Sequence, residues 1–244
     1  MEPRPYLKEI QLKRDKVERA DVYPFTLPLI HGLESLKFDK AVTFIVGENG
    51  AGKSTLIEAI AVAMGCNPEG GNRNTVFSTE ATHSPLSAAI KAIKSFKRPA
   101  DWYYLRAESF YNVASYMDSI ISPREQGYGG KSLHHQSHGE SFMAVLMHKL
   151  KGKGLYIFDE PEAALSPTRQ MSALVEIHRL VQDESQFIIA THSPILLSYP
   201  NAIIYQIENG KLVRVEYTDT EHYKVTRDFL NRHEMMLRAL LEGD

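Results

Sequence analysis

The sequence predicts an α/β fold: a mostly parallel central sheet with helices on both faces, an N-terminal antiparallel β lobe and a helical subdomain. Three observations carry this. Short apolar runs alternate with helical stretches, at 42–46, 54–64, 155–158, 167–182 and 187–190. The run Val42–Val46 leads directly into Gly47-Glu48-Asn49-Gly50-Ala51-Gly52-Lys53-Ser54-Thr55, a glycine-rich loop that opens a helix. The run Leu155–Phe158 ends in the acidic pair Asp159-Glu160. Ligands of open parallel sheets bind beyond the carboxyl ends of the strands, and both polar segments fall there.

The elements follow in order. Residues 6–46 read as β-rich, with Ile10, Leu12, Phe25, Leu27 and Phe38 in short pieces between charged or Pro-containing turns. Residues 65–80 are rich in Gly, Asn and Pro and read as a loop. Residues 84–97 read as a helix with Leu86, Ile90 and Ile93 on one face, and Tyr103–Arg106 as a strand. Residues 122–138 read as loop, followed by an amphipathic helix through Phe142, Val145, Leu146 and Leu150 that stops at Gly152 and Gly154. The helix 167–182 is expected to turn Met171, Leu174, Val175 and Val181 inward. Segments 202–207 and 212–217 flank Glu208-Asn209-Gly210 as a hairpin, and 221–242 closes the chain as helix. The expected organisation is one domain: a β lobe over 1–41, a core from 42–80 and 151–218, a helical subdomain over 81–150 and a C-terminal helix over 219–244.

Composition bounds the function. The 244 residues, 43% apolar and 24% charged, suffice for a sizeable core. A net charge of −2 gives no general attraction to nucleic acid, although Lys91, Lys94, Lys97 and Arg98 form a local basic cluster, which reads first as a solvated helix face. The single Cys66 cannot form an internal disulfide, which suits a reducing cytoplasm. No run approaches the ~20 apolar residues of a membrane span, and residues 1–6 lack the apolar core of a secretory signal. A soluble, cytoplasmic protein is expected.

The motifs name the chemistry. Gly47 to Thr55 fits G-x-x-x-x-G-K-[ST] in its required strand-to-helix setting. Such a loop wraps phosphates in backbone N–H groups, its lysine reaches the β- and γ-phosphates, and its serine can bind Mg²⁺. Asp159 would then hold Mg²⁺ and Glu160 would act on the attacking water as a general base. Ser137-His138-Gly139-Glu140-Ser141 opens a helix 18 residues before Leu155. Ala164-Leu165-Ser166-Pro167 follows the acidic pair, and His192 in Ala190-Thr191-His192-Ser193-Pro194 ends the next buried strand. Each of these alone reads as a cap or turn. His134, His135 and His138 suggest a metal site, but no Cys or carboxylate nearby completes a ligand set.

In this order the motifs resemble the ATP-binding-cassette (ABC) ATPases over roughly residues 40–217. The resemblance implies that Ser137 and Gly139 belong to the signature motif, Ala164–Pro167 is the D-loop and His192 is the switch histidine. It implies two subunits that sandwich two ATPs, with Lys53 and its loop facing Ser137 and Gly139 of the other copy. Binding would close the dimer and hydrolysis reopen it. The catalytic pair would be Glu160 and His192, the metal ligands Ser54 and Asp159, and the cofactors ATP and Mg²⁺.

The departures from the transporter pattern, Ser-His-Gly-Glu-Ser and Asp-Glu-Pro-Glu, look like the stand-alone AAA-family ATPases related to recombination-repair and chromosome-maintenance heads. Some of those relatives partner nucleases or toxins. About 80 residues separate Thr55 from Ser137, too few for a coiled-coil arm. The alternatives are a transporter's nucleotide-binding subunit, docking through residues 80–125, and a DNA- or RNA-linked repair or defence ATPase. Glu108 or Ser109 could stand where the family has its Q-loop glutamine, while Gln126 and Gln136 lie too near the signature. Tyr23, 24 residues before Gly47, could stack on adenine, but a core position in the β lobe is the stronger expectation.

Overall fold

The computed structural model describes residues 5–72, 84–106 and 137–242. Its centre is a seven-stranded sheet in the order β10-β9-β3-β8-β7-β6-β4, formed by β3 (Val42–Val46), β4 (Gly71–Asn72), β6 (Asp101–Arg106), β7 (Gly154–Asp159), β8 (Gln186–Ala190), β9 (Ile203–Glu208) and β10 (Lys211–Val215). Strands β9, β3, β8, β7 and β6 run parallel, and antiparallel β10 and β4 close the two ends. All residues of β3, β7 and β8 are buried, as strands covered on both faces must be.

Alternate residues of these strands enter two different cores, following the period-two pleat. Ile45, Leu155, Ile157, Ile188 and Ala190 pack with Leu56, Ile57 and Ile60 of the helix Lys53–Ala63. Phe44, Val46, Tyr156, Phe158, Phe187 and Ile189 face the other way, onto Phe142 of the helix His138–Ala144 and onto Ala173, Ile177 and Leu180 of the helix Pro167–Gln182. A second sheet, β2-β1-β5, is antiparallel: β1 (Leu7–Leu12) lies between β2 (Ser35–Lys37) and β5 (Ile90–Lys94) and joins the first core through Leu7, Ile10 and Leu36.

Several expectations need correction. Only Leu86–Ala89 of the stretch 84–97 is helical, and Ile90–Lys94 is the third strand of the antiparallel sheet. Its apolar spacing fits both periods, and pairing with β1 decides between them. The stretch 81–150 is therefore not wholly helical: β5 and β6 lie within it. Lys91 and Lys94 sit on an edge strand, where charge discourages further pairing, and Lys97 is bound to Glu184 at 2.7 Å. Phe25 lies in a turn, and Leu27 precedes the short helix Pro28–Gly32. In the helix 167–182, Met171 and Val175 point to solvent at 53% and 66% exposure, while Ala173, Ile177 and Leu180 face the core. The C-terminal helix is two, Glu221–Asn231 and His233–Glu242, broken at Arg232. The hairpin 203–215 turns at Asn209-Gly210 as read from the sequence.

Candidate nucleotide site

Register brings the polar strand ends together. Asp159 of β7 lies level with Ala190 of β8, which lies level with Ile45 of β3. The loop after β3, the acidic pair at the end of β7 and the Thr191-His192 segment after β8 therefore share one edge of the sheet.

The loop Gly47–Gly52 wraps back over the first turn of the helix Lys53–Ala63. Gly50 and Gly52 have φ values of 80° and 95°, which a side chain would resist. This left-handed backbone lets the chain turn sharply into the helix Lys53–Ala63, whose first N–H groups have no acceptor within the helix. The Lys53 ammonium is 4% exposed by residue and donates to the carbonyls of Gly47 at 2.9 Å and Glu48 at 3.0 Å. Burial lowers its pKa below the lysine norm, opposed by Glu160, Asp159, Glu162 and Glu48. Glu48, Asn49 and Gly50 are exposed at the loop's crest, and Ala51 closes its turn by donating to the Glu48 carbonyl at 3.2 Å. A small open cleft is lined by Tyr23, Asn49, Gly50, Lys53, Thr55 and Glu160, among others.

Ser54 donates its hydroxyl to Asp159 Oδ1 at 3.1 Å, and Asp159 is buried. A hydroxyl and a buried carboxylate side by side are two hard oxygen donors. They fit Mg²⁺, which takes few protein ligands and leaves the rest of its octahedron to water and phosphate.

Glu160 has a positive φ of 50°, unusual for a side-chain-bearing residue and typical of functional sites. Its Oε1 lies 3.3 Å from His192 Nε2, within contact but not aligned as a hydrogen bond. His192 is fixed from two further directions. Glu162 accepts from the His192 backbone N–H and from the Thr191 hydroxyl, the latter at 2.7 Å. His192 Nδ1 lies 2.9 Å from Nε2 of His222.

Ser137 and Gly139 stand apart from the cleft. Ser137 caps the helix His138–Ala144 in a capping box: Glu140 N–H donates to its hydroxyl at 3.3 Å, and Glu140 Oε2 accepts from its N–H at 2.8 Å. The Ser137 N–H and hydroxyl both hold the Glu140 carboxyl below its usual pKa, and Arg169 assists from 3.6 Å. Gly139 is a glycine by contact: a Cβ there would lie 2.6 Å from Arg169 Nη1 and 2.8 Å from the Ala164 carbonyl. The helix His138–Ala144 thus packs directly on the turn after the acidic pair.

Three residues enter the site that sequence reasoning passed over or placed elsewhere. Tyr23 is 61% exposed at the cleft, its hydroxyl 2.9 Å from Thr55 Oγ1, and does not belong to the core. Glu162 was visible as a departure from the transporter pattern, but its clamp on Thr191 and His192 was not. His222 carried no local signal. Glu108, Ser109, Gln126, His134, His135 and Gln136 lie outside the described residues.

Two family models match segments of the chain. One described as an AAA domain matches residues 28–101, and one described as "AAA domain, putative AbiEii toxin, Type IV TA system" matches residues 141–198. No curated protein is significantly similar in sequence. Among solved structures, cbiO1 from Clostridium perfringens, part of the ABC transporter complex cbiONQ, aligns at a TM-score of 0.50 and 15% identity, over 94% of this chain and 97% of that one. The SMC head domain from Thermotoga maritima aligns at 0.43 and 14% identity, over 87% and 99%. An SmcHead bound to the C-winged helix domain of ScpA aligns at 0.48 and 15% identity, over 87% and 98%. Among the described residues no helix is long and apolar enough to cross a membrane.

Proposed function

We propose that this chain, a P-loop ATPase related to the ABC and SMC ATPase heads, hydrolyses ATP with Mg²⁺ and closes as a two-ATP homodimer to switch a partner protein. The observation that carries this reading is the convergence of Lys53, Ser54, Asp159, Glu160 and His192 at one edge of the sheet. The N–H groups of Gly47–Thr55 and the Lys53 ammonium would bind the β- and γ-phosphates. Ser54 and Asp159 would hold Mg²⁺, which supplies neutralisation of phosphate charge. Glu160 takes the proton of the attacking water as its oxygen bonds to the γ-phosphorus and the bond to the β–γ bridging oxygen breaks, releasing ADP and phosphate. His192 orients that water and the γ-phosphate from the neighbouring strand. Tyr23 offers an exposed ring for the adenine base.

The dimer reading rests on Ser137 and Gly139. They contact Glu140, Arg169 and Ala164 and are not among the residues that line their own chain's cleft. A second copy, approaching with its signature helix, would bring them to the γ-phosphate, so that binding energy differs between open and closed states.

The partner we favour is an effector protein of the nuclease or toxin kind. The family matched at 141–198 is described as "putative AbiEii toxin, Type IV TA system", and we place the chain in that setting. The net charge of −2 gives nucleic acid no general hold. The likeness to a transporter subunit speaks to fold alone. A cytoplasmic location goes with this reading, since ATP is available there.

Light scattering of the Glu160→Gln protein with and without Mg-ATP tests the proposal. The variant is expected to bind ATP, to pass from monomer to dimer with it, and to lose hydrolysis by a factor on the order of 10²–10⁴. A variant that binds ATP and stays monomeric rules out the homodimer. One that hydrolyses like the wild type rules out Glu160 as the base.

A further inference from the structure

His222 belongs to no motif of the sequence, yet its ring meets that of His192, with centroids 5.1 Å apart and planes at 55°. We propose that His222 is a positioning residue: its Nε2–H donates to His192 Nδ1, fixes His192 as the Nε2–H tautomer, and so aims a donor at Glu160 and the γ-phosphate position. This rests on the proposed ATPase site, whose switch histidine it assigns a proton.

The geometry selects the direction of the bond. The two nitrogens are 2.9 Å apart, so one carries the proton and the other a lone pair. If His222 donates, His192 Nε2 bears a hydrogen and faces the Glu160 carboxylate, 3.3 Å away, which is attractive. His222 Nδ1, buried with no hydrogen-bond partner, then carries only a lone pair. If His192 donates instead, a lone pair faces the carboxylate, and His222 Nδ1 carries a buried N–H with no acceptor. Either direction leaves one buried N–H without an aligned hydrogen bond, on His192 Nε2 or on His222 Nδ1; only the His192 position has a carboxylate 3.3 Å away to attract it, so donation by His222 is favoured. The tautomer of a histidine is set by the partner of its other nitrogen, and His222 is that partner here. Burial, His192 and Lys53 favour the neutral form of His222, with Glu48 opposing.

His222 is itself held in place. Thr220, fully buried, caps the helix Glu221–Asn231 by accepting from Tyr223 N–H at 3.3 Å, and donates to the Tyr217 carbonyl at 2.8 Å. Gln206 of β9 accepts from Glu221 N–H at 3.1 Å. Because β9 pairs with β3, the first turn of this helix is referenced to the strand that carries the phosphate loop.

Long-range ¹H–¹⁵N spectra of the imidazoles in the nucleotide-free protein read the tautomer directly, with His192 assigned by its loss in His192→Gln. The wild type is expected to show His192 as the Nε2–H form, and His222→Ala a mixture of forms. His222→Gln, which keeps an N–H donor, should restore the Nε2–H form. In steady-state hydrolysis His222→Ala should lower kcat by about tenfold or more, with KM for ATP within about twofold of the wild type, and His222→Gln should recover most of the loss. His192 found as the Nδ1–H form in the wild type, or unchanged in His222→Ala, overturns the proposal. A protein that hydrolyses no ATP defeats the proposed function, while the spectra still decide the assignment of His222.

Discussion

Replacing Lys53 by methionine separates two roles that the lysine combines. Its ammonium is nearly buried and donates to two carbonyls of its own loop, at 2.9 and 3.0 Å. Methionine keeps most of the stem and removes the charge. The fold loses two charge-assisted hydrogen bonds of about 1.5–3 kcal/mol each and is relieved of a desolvation cost of several kcal/mol. These effects nearly cancel, so the stability of the nucleotide-free protein should change by about 1 kcal/mol or less. Nucleotide binding has no such compensation. A charge-assisted hydrogen bond to phosphate contributes about 1.5–3 kcal/mol, or about 10- to 150-fold in Kd. Calorimetric titration with Mg-ATP should show a loss at least that large, while urea unfolding without nucleotide gives midpoints close to the wild type. An affinity within about threefold of the wild type would refute the phosphate role of Lys53. Unchanged affinity together with a large loss of stability would make the ammonium a structural brace of the loop.

Other perturbations address the remaining parts. Asp159→Asn weakens the carboxylate that accepts from Ser54 at 3.1 Å, and the Mg²⁺ concentration for half-maximal hydrolysis should rise about tenfold or more; an unmoved midpoint removes Asp159 from the metal site. Gly139→Ala puts a methyl 2.6 Å from Arg169 Nη1 and 2.8 Å from the Ala164 carbonyl. It should cost about 1–3 kcal/mol in urea unfolding and reduce ATP-driven dimerisation seen by light scattering. The pH dependence of stability reads His222, whose folded pKa lies below the histidine norm of 6.5 because of burial, His192 and Lys53, with Glu48 opposing. The unfolded chain then binds the proton first as pH falls, so stability is full above 6.5 and is lost as pH drops through the lower folded value. Unfolding free energies should fall more steeply between 6.5 and that lower value for the wild type than for His222→Gln, and parallel curves would count against the burial effect.

Much of this architecture was legible because its signals are local. Val42–Val46, Leu155–Phe158 and Phe187–Ala190 are buried throughout, and each announces itself as an apolar run. The phosphate loop and the acidic pair are contiguous segments whose chemistry is written in residue order. The failures share a cause. Ile90–Lys94 has a spacing that suits a helix as well as a strand, and only its pairing with β1 distinguishes them. Met171 and Val175 are apolar but look outward, since the core-facing stripe of that helix runs through Ala173, Ile177 and Leu180. Tyr23 is aromatic in a lobe with a real core, and its exposure follows from the turn that brings it beside Thr55.

The surroundings of His192 show why a motif scan finds a residue without finding what orients it. Its backbone clamp, Glu162, and its ring partner, His222, each lie 30 residues away in the chain, one before and one after. Glu160 approaches the ring's other nitrogen. Three segments meet at one side chain because β7 and β8 are neighbours and β9 returns the chain to the same edge beyond β3. A histidine free to rotate at a strand end could offer phosphate either a lone pair or a proton. Fixing the backbone with one carboxylate and the ring with a second imidazole removes that choice before nucleotide arrives, so less of the ordering cost falls on the reaction. The reach of the helix 221–231 into the site also means that whatever moves its first turn alters the proton that His192 presents.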